Sequence, residues 1–159
     1  MRFWDSSALV PLVIEEPTSM ACRRVLRADS AIVVWALARV EIHSALQRLR
    51  RMKLLEGLSL RRAHLRLDRL SRRWDEVVAL EATREEAERL LDAHGNLNLR
   101  AADAVQLGAA LVSCESLPRR RAFVTLDDAL GRAAVAEGFD VITPGRRRSR
   151  QVSRPRRTR

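Results

Sequence analysis

The sequence predicts an α/β protein built on a central, mostly parallel sheet of about five strands with helices on both faces. Three observations predict it. Short segments rich in Val, Ile, Phe and Trp alternate with longer stretches of helical periodicity, and parallel neighbours require such crossovers. The run AIVVW at 31–35 is apolar at every position, as in a strand covered on both faces. Strand and helix patterns also alternate along the whole chain without an internal repeat, and the one composition break falls near Gly145.

Taken in order, RFWD leads as a short strand into the helix SSALVPLVIEE, which breaks near Pro17 and restarts at PTSMACRRVL. After AIVVW, the residues Ala38, Ile42, Ala45, Leu46 and Leu49 recur at helical spacing, so an amphipathic helix is expected from 37 to about 53, ended by Gly57. Leu58 to Trp74 continue as a strongly basic helix with Leu60, Leu67 and Leu70 among its apolar positions. EVVALEA (76–82) predicts a third strand. TREEAERLL then predicts a helix opened by a Thr83 and Glu86 capping box and closed by Gly95. LRAADAVQLGAALV (99–112) is a nearly all-apolar helix, RAFVTL (121–126) a strand, ALGRAAVAEG a helix closed by Gly138, and FDVITP the last strand.

The chain is about one domain long, and 47% hydrophobic residues suffice for one core. No segment approaches the roughly 18 apolar residues of a membrane span, and no secretory leader pattern opens the chain, so a soluble, cytoplasmic protein is expected. Cys22 and Cys114 stand alone, without CxxC spacing, and read as reduced thiols in packing roles. The formal net charge is +10, but eight arginines lie between 146 and 159, so the preceding residues carry only +2. The organisation expected is therefore a folded domain over 1–145 and an Arg-rich, disordered arm over 146–159, which reads either as attracted to phosphates without sequence preference or as a solvated tail. A second basic concentration, from Arg48 to Arg73, sets ten basic residues against Glu56 and Asp68.

In a parallel sheet, ligands bind beyond the carboxyl ends of the strands. Asp5 follows the first strand, and Asp127 and Asp128 follow AFVTL. If those strands are neighbours, the carboxylates converge. Each taken singly also suits a helix N-cap. Asp103 sits in a helix apolar on almost every face, with Arg100 the nearest structural partner, and Glu41 lies at the edge of an apolar stripe. Unpaired acids in such surroundings are costly unless a cation, a partner or a raised pKa answers them. Oxygen donors of this kind suit Mg²⁺ or Mn²⁺, which lower the pKa of water and brace a phosphodiester during in-line attack.

DSSALVPLVIEEP (5–17), ARVEIHSAL (38–46), RAADAVQLGAAL (100–111) and FVTLDDAL (123–130), in this order, resemble the PIN-domain nucleases, specifically the VapC toxins of toxin–antitoxin pairs. The resemblance spans 1–144 and implies a PIN-like three-layer fold. It places the family's acidic site on Asp5, Glu41, Asp103 and Asp127, with Asp5, Asp103 and Asp127 as metal ligands for Mg²⁺ or Mn²⁺ in RNA cleavage. Asp127 fits the spacing to Leu130 better than Asp128, which leaves helix capping to Asp128, though the doubled acid keeps both choices open, and Ser7 falls where a small hydroxyl residue orients the first acid. The resemblance also implies an RNA substrate, a homodimer, and an antitoxin that covers the site with a basic side chain directed at the acids. The helices 37–53 and 58–74 offer surfaces for either protein partner. Two positions depart from the family pattern: Gln106 stands where a histidine or similar residue is common, and Arg2 interrupts an otherwise apolar strand.

Two other readings compete. A non-catalytic module, either PIN-like or basic and RNA-binding, would gain nothing from acids in its groove. A phosphatase of the haloacid dehalogenase type wants a second Asp where Ser7 stands, and the only lysine, Lys53, is badly placed for it. His43, His64 and His94 lack partners at ligand spacing and read as structural or surface residues.

Overall fold

The computed structural model describes residues 1–146. Beyond Arg146, the basic arm expected from the sequence lies outside the described residues. Five strands, β1 (Arg2–Trp4), β2 (Ile32–Trp35), β3 (Trp74–Val77), β4 (Ala122–Val124) and β5 (Asp140–Ile142), form one sheet in the order β3-β2-β1-β4-β5. Every pairing is parallel. The chain steps outward from β1 through β2 to β3, then returns to the other edge of β1 for β4 and β5. Right-handed crossovers travelling in opposite directions must cover opposite faces.

That rule accounts for the layers. Helices α1 (Ser6–Val13), α2 (Ser19–Ala28), α3 (Ala38–Arg51) and α4 (Gly57–Ser71) make the first two crossovers, and α5 (Leu80–Ala93), α6 (Ala101–Val112) and α7 (Asp128–Glu137) the last two. Successive strand residues point to opposite faces. Trp4, Ile32, Val34, Trp74 and Val124 therefore pack with Leu9, Ile42, Leu46 and Leu67 on one side. Phe3, Val33, Trp35 and Phe123 pack with Leu90, Leu107, Leu111 and Phe139 on the other. The Phe3 and Phe123 rings stack with centroids 5.5 Å apart across the β1–β4 pair.

Arg2 is tolerated in β1 because its guanidinium leaves the sheet. It donates to the Val25 carbonyl and lies 3.7 Å from Asp29. Near Pro17 the chain breaks as expected, and the buried Ser19 hydroxyl donates to the Pro11 carbonyl at 2.7 Å. Both cysteines are free and buried, and burial pushes the Cys22 thiol up to about 11, which makes it a packing residue rather than a nucleophile. No helix among the described residues is long and apolar enough to cross a membrane.

Four local expectations need correction. Gly57 does not end α3, which stops at Arg51; it is the first residue of α4, at φ +52°. The third strand begins at Trp74 instead of Glu76, and α5 begins at Leu80. Thr83 therefore lies inside α5 and forms no capping box; its buried Oγ1 has no hydrogen-bond partner among the described residues. The same helix ends at Ala93, so Gly95 opens a separate 3₁₀ turn (Gly95–Leu97) instead of closing α5. Gly138, at φ +101°, does close α7 as a left-handed cap.

Candidate active site

The sheet order reverses between β1 and β4, and in open parallel sheets the crevice beyond the carboxyl ends at such a point is where ligands bind. Asp5 follows β1 there, and its backbone N–H bonds the Val124 carbonyl at 3.0 Å, tying it to the end of β4. Helix α3 starts directly after β2, so its first turn, with Glu41, lies at the same edge. Helix α6 runs back toward the start of β4, which brings its first turn, with Asp103, to that edge too. Both helices thus present acids at their positive ends, where carboxylates are favoured.

Asp5, Glu41 and Asp103 line one cleft of about 550 Å³. Asp5 is 4% exposed, and the other two are half-buried. The Asp5 Oδ2 accepts from the Ser7 hydroxyl and from Thr125 Oγ1 at 2.8 Å. Those hydroxyls are themselves anchored: Leu126 N–H donates to Ser7 Oγ at 3.0 Å, and Asp127 N–H to Thr125 Oγ1 at 2.9 Å. The other oxygen, Oδ1, has among the described residues only the Ser6 hydroxyl, at 3.4 Å. One carboxylate oxygen is thus clamped and the other is left available.

Glu41 Oε2 accepts from Gln106 Nε2, so the residue that departs from the family pattern serves as the donor to this acid. Asp103 Oδ2 accepts from the Arg100 backbone N–H at 3.1 Å. Arg100 partners Asp103 as the sequence suggested, but through its main chain. Burial pushes all three carboxyls above their ordinary values. Mutual repulsion adds to it: the Asp103 charge raises Asp5, the Asp5 and Asp103 charges raise Glu41, and the Asp127 charge raises Asp103.

Asp127 is placed differently. It is exposed, lines a separate depression with Asp128, Arg132 and Arg146, and its Oδ1 accepts from Leu130 N–H at 2.8 Å. Asp127, and not Asp128, is therefore the N-cap of α7, and Asp128 instead pairs with Arg146 at 2.6 Å. The reason lies one residue upstream: Thr125 takes the Asp127 N–H, and this fixes Asp127 in extended backbone, the conformation an N-cap needs. Its charge still reaches Asp103 from the rim.

The sequence did not single out Thr125. The only signal was its place at the end of β4, which becomes informative once β4 is known to pair with β1. All three histidines find partners away from the cleft: His94 Nε2 lies 2.7 Å from Glu137, and the rings of His43 and His64 are 5.0 Å apart.

Hard divalent cations fit this donor set chemically. The donors are carboxylate oxygens, and among the described residues no basic side chain pairs with Asp5 or Glu41 and the buried Gln106 Oε1 has no partner. No three His, Cys, Asp or Glu side chains among the described residues stand as a ready-made cage. The acids share a cleft without closing on a point.

A parallel sheet with carboxylates gathered at its switch point defines the class, and the PIN domain family model matches residues 2–136. The chain belongs to the PIN domain family. It is 36% identical over 145 residues to Ribonuclease VapC46 of Mycobacterium tuberculosis, an alignment covering 89% of this chain and 96% of the relative.

Proposed function

We propose that this chain is an endoribonuclease of the VapC type, the toxin half of a toxin–antitoxin pair, which hydrolyses RNA with Mg²⁺ or Mn²⁺. The observation that carries the reading is the gathering of Asp5, Glu41 and Asp103 in one cleft with their charges left to repel one another. A bare phosphate-binding groove would not be built this way, because acids there oppose the ligand.

In this reading Asp5 and Asp103 are the principal metal ligands, and Asp127 contributes from the rim. The bound cation supplies charge that lowers the pKa of water and stabilises the developing negative charge on phosphate. Ser7 and Thr125 hold Asp5 by one oxygen, so that the other faces the cleft without a rotameric search. Gln106 holds Glu41 in the same manner. Water adds to phosphorus, the phosphorus–oxygen bond of the leaving nucleotide breaks, and the departing oxygen takes a proton. Glu41, whose carboxyl burial pushes upward, takes the proton that the attacking water gives up and passes it to the departing oxygen.

The same reading carries the partners: an antitoxin that places a basic side chain against these acids, a second copy of the chain as a homodimer, and a cytoplasmic setting. The direct test is cleavage of single-stranded RNA by the purified protein. Activity should require Mn²⁺ or Mg²⁺ and vanish with EDTA. Asp103→Asn should reduce it to background with an unchanged circular dichroism spectrum, and undiminished cleavage by that variant would overturn the assignment.

A further inference from the structure

We propose that Arg48 and Arg51 form a phosphate track on α3 that seats the RNA backbone on one side of the scissile bond. The proposal rests on the ribonuclease reading above and adds how the substrate is held. Residues Val40, Glu41, Ser44, Ala45, Arg48 and Arg51 all line the acidic cleft. Their spacing of three and four puts them on one face of α3, so the helix presents the acid, then a hydroxyl, then two guanidinium groups in a row.

At about 1.5 Å per residue, Arg48 and Arg51 stand roughly 10 and 15 Å along the helix from Glu41. That is too far to touch the phosphate being cut and suits the phosphates beyond it. Many arginines of this chain are committed elsewhere: Arg23 to Glu15, Arg39 to Asp68, Arg89 to Glu137 and Arg146 to Asp128. Arg48 and Arg51 are exposed and form no salt bridge among the described residues. The Arg48 charge bears on Glu16, whose carboxyl burial nevertheless pushes upward. A guanidinium in that condition can offer its fork of donors to a phosphate.

The cleft lining contains no aromatic side chain. Stacking of bases, the usual alternative means of holding a single strand, is therefore unavailable in it. The hold falls on the backbone, and the track accepts many sequences. Binding energy gained on these remote phosphates places the reacting one among the acids.

The test compares Arg48→Gln/Arg51→Gln with a control, Arg61→Gln/Arg69→Gln, which removes the same charge from exposed positions of α4 outside the cleft. A labelled oligoribonucleotide of about a dozen residues is titrated by fluorescence anisotropy in EDTA over a range of NaCl concentrations. Each lost phosphate contact on a single strand reduces the slope of log affinity against log salt by about 0.7. The cleft variant should therefore lose about 1.4 from the slope and bind on the order of tenfold more weakly at low salt. The control should keep the wild-type slope, and Arg48→Lys/Arg51→Lys should restore it. A wild-type slope in the cleft variant, or an equal loss in the control, overturns the track. Because these titrations contain no metal and read no cleavage, a wild-type protein that cuts no RNA in Mn²⁺ would overturn the nuclease reading separately.

Discussion

At the scale of single residues, the site depends on which oxygen of Asp5 is already occupied. Two hydroxyls, from Ser7 and Thr125, converge on Oδ2, and each is held by a main-chain N–H of the β4–α7 turn. Thr125→Val keeps the volume of a buried side chain and removes one donor. Cleavage should fall about 10- to 100-fold, as for other groups that orient a metal ligand, while stability falls by about 1 kcal/mol. Steady-state kinetics beside a thermal melt check both parts; a loss of stability without a loss of rate would make Thr125 merely structural. Asp5 was legible from its place directly after the first strand, and Glu41 and Asp103 as acids on largely apolar helices. Thr125 was not, because its partner lies 120 positions away and only the strand order joins them. The roles of Asp127 and Asp128 were legible only as a pair. Spacing to Leu130 favoured Asp127 as the family's acid and left capping to Asp128, whereas the structure gives the cap to Asp127 itself.

At the scale of elements, α5 and α6 approach unusually closely. A Cβ added at Gly108 would sit 2.8 Å from the Thr83 carbonyl oxygen and 3.1 Å from the Ala87 nitrogen, both backbone atoms that cannot swing aside. Gly108→Ala should therefore destabilise the fold by roughly 1–3 kcal/mol, despite the better helix propensity of alanine. Chemical denaturation measures it, and a neutral or stabilising result would show that the helices part easily. This contact also explains why the expected capping box failed. Thr83 is drawn into the α5–α6 seam by packing, and a local capping signature cannot outweigh a helix-on-helix contact. Gly57 misled for a related reason: a glycine with positive φ marks a change of direction, and sequence alone does not say whether a helix is ending or beginning. Strand β2 was easier, because its residues, buried on both faces, leave an unbroken apolar run at 32–35, whereas the edge strand β3 (WDEV) carries no such run.

At the scale of the whole molecule, the gathered acids tie stability to pH. Burial and mutual repulsion raise the carboxyls of Asp5, Glu41 and Asp103, so the folded state binds protons more tightly than the unfolded chain. Stability from these groups is then lost as pH rises through their folded values, and regained below the ordinary carboxylate range near 4. In EDTA, Asp103→Asn should melt a few degrees above wild type at neutral pH, and the gap should close as the pH is lowered toward about 4. Saturating Mn²⁺ should reverse the order, since a cation that binds only the folded state stabilises it by mass action. Differential scanning fluorimetry over a pH series, with and without Mn²⁺, reads both effects; a variant that melts below wild type in EDTA at neutral pH would contradict the argument. The central place of β1 has a consequence in time as well as in space. Its second edge is closed only by residues 122–124, and the hydroxyl and main-chain groups that position Asp5 come from 125–127. A ribosome must therefore finish most of the domain before Asp5 can be set, and on the proposed reading a nascent copy should not cut the RNA around it.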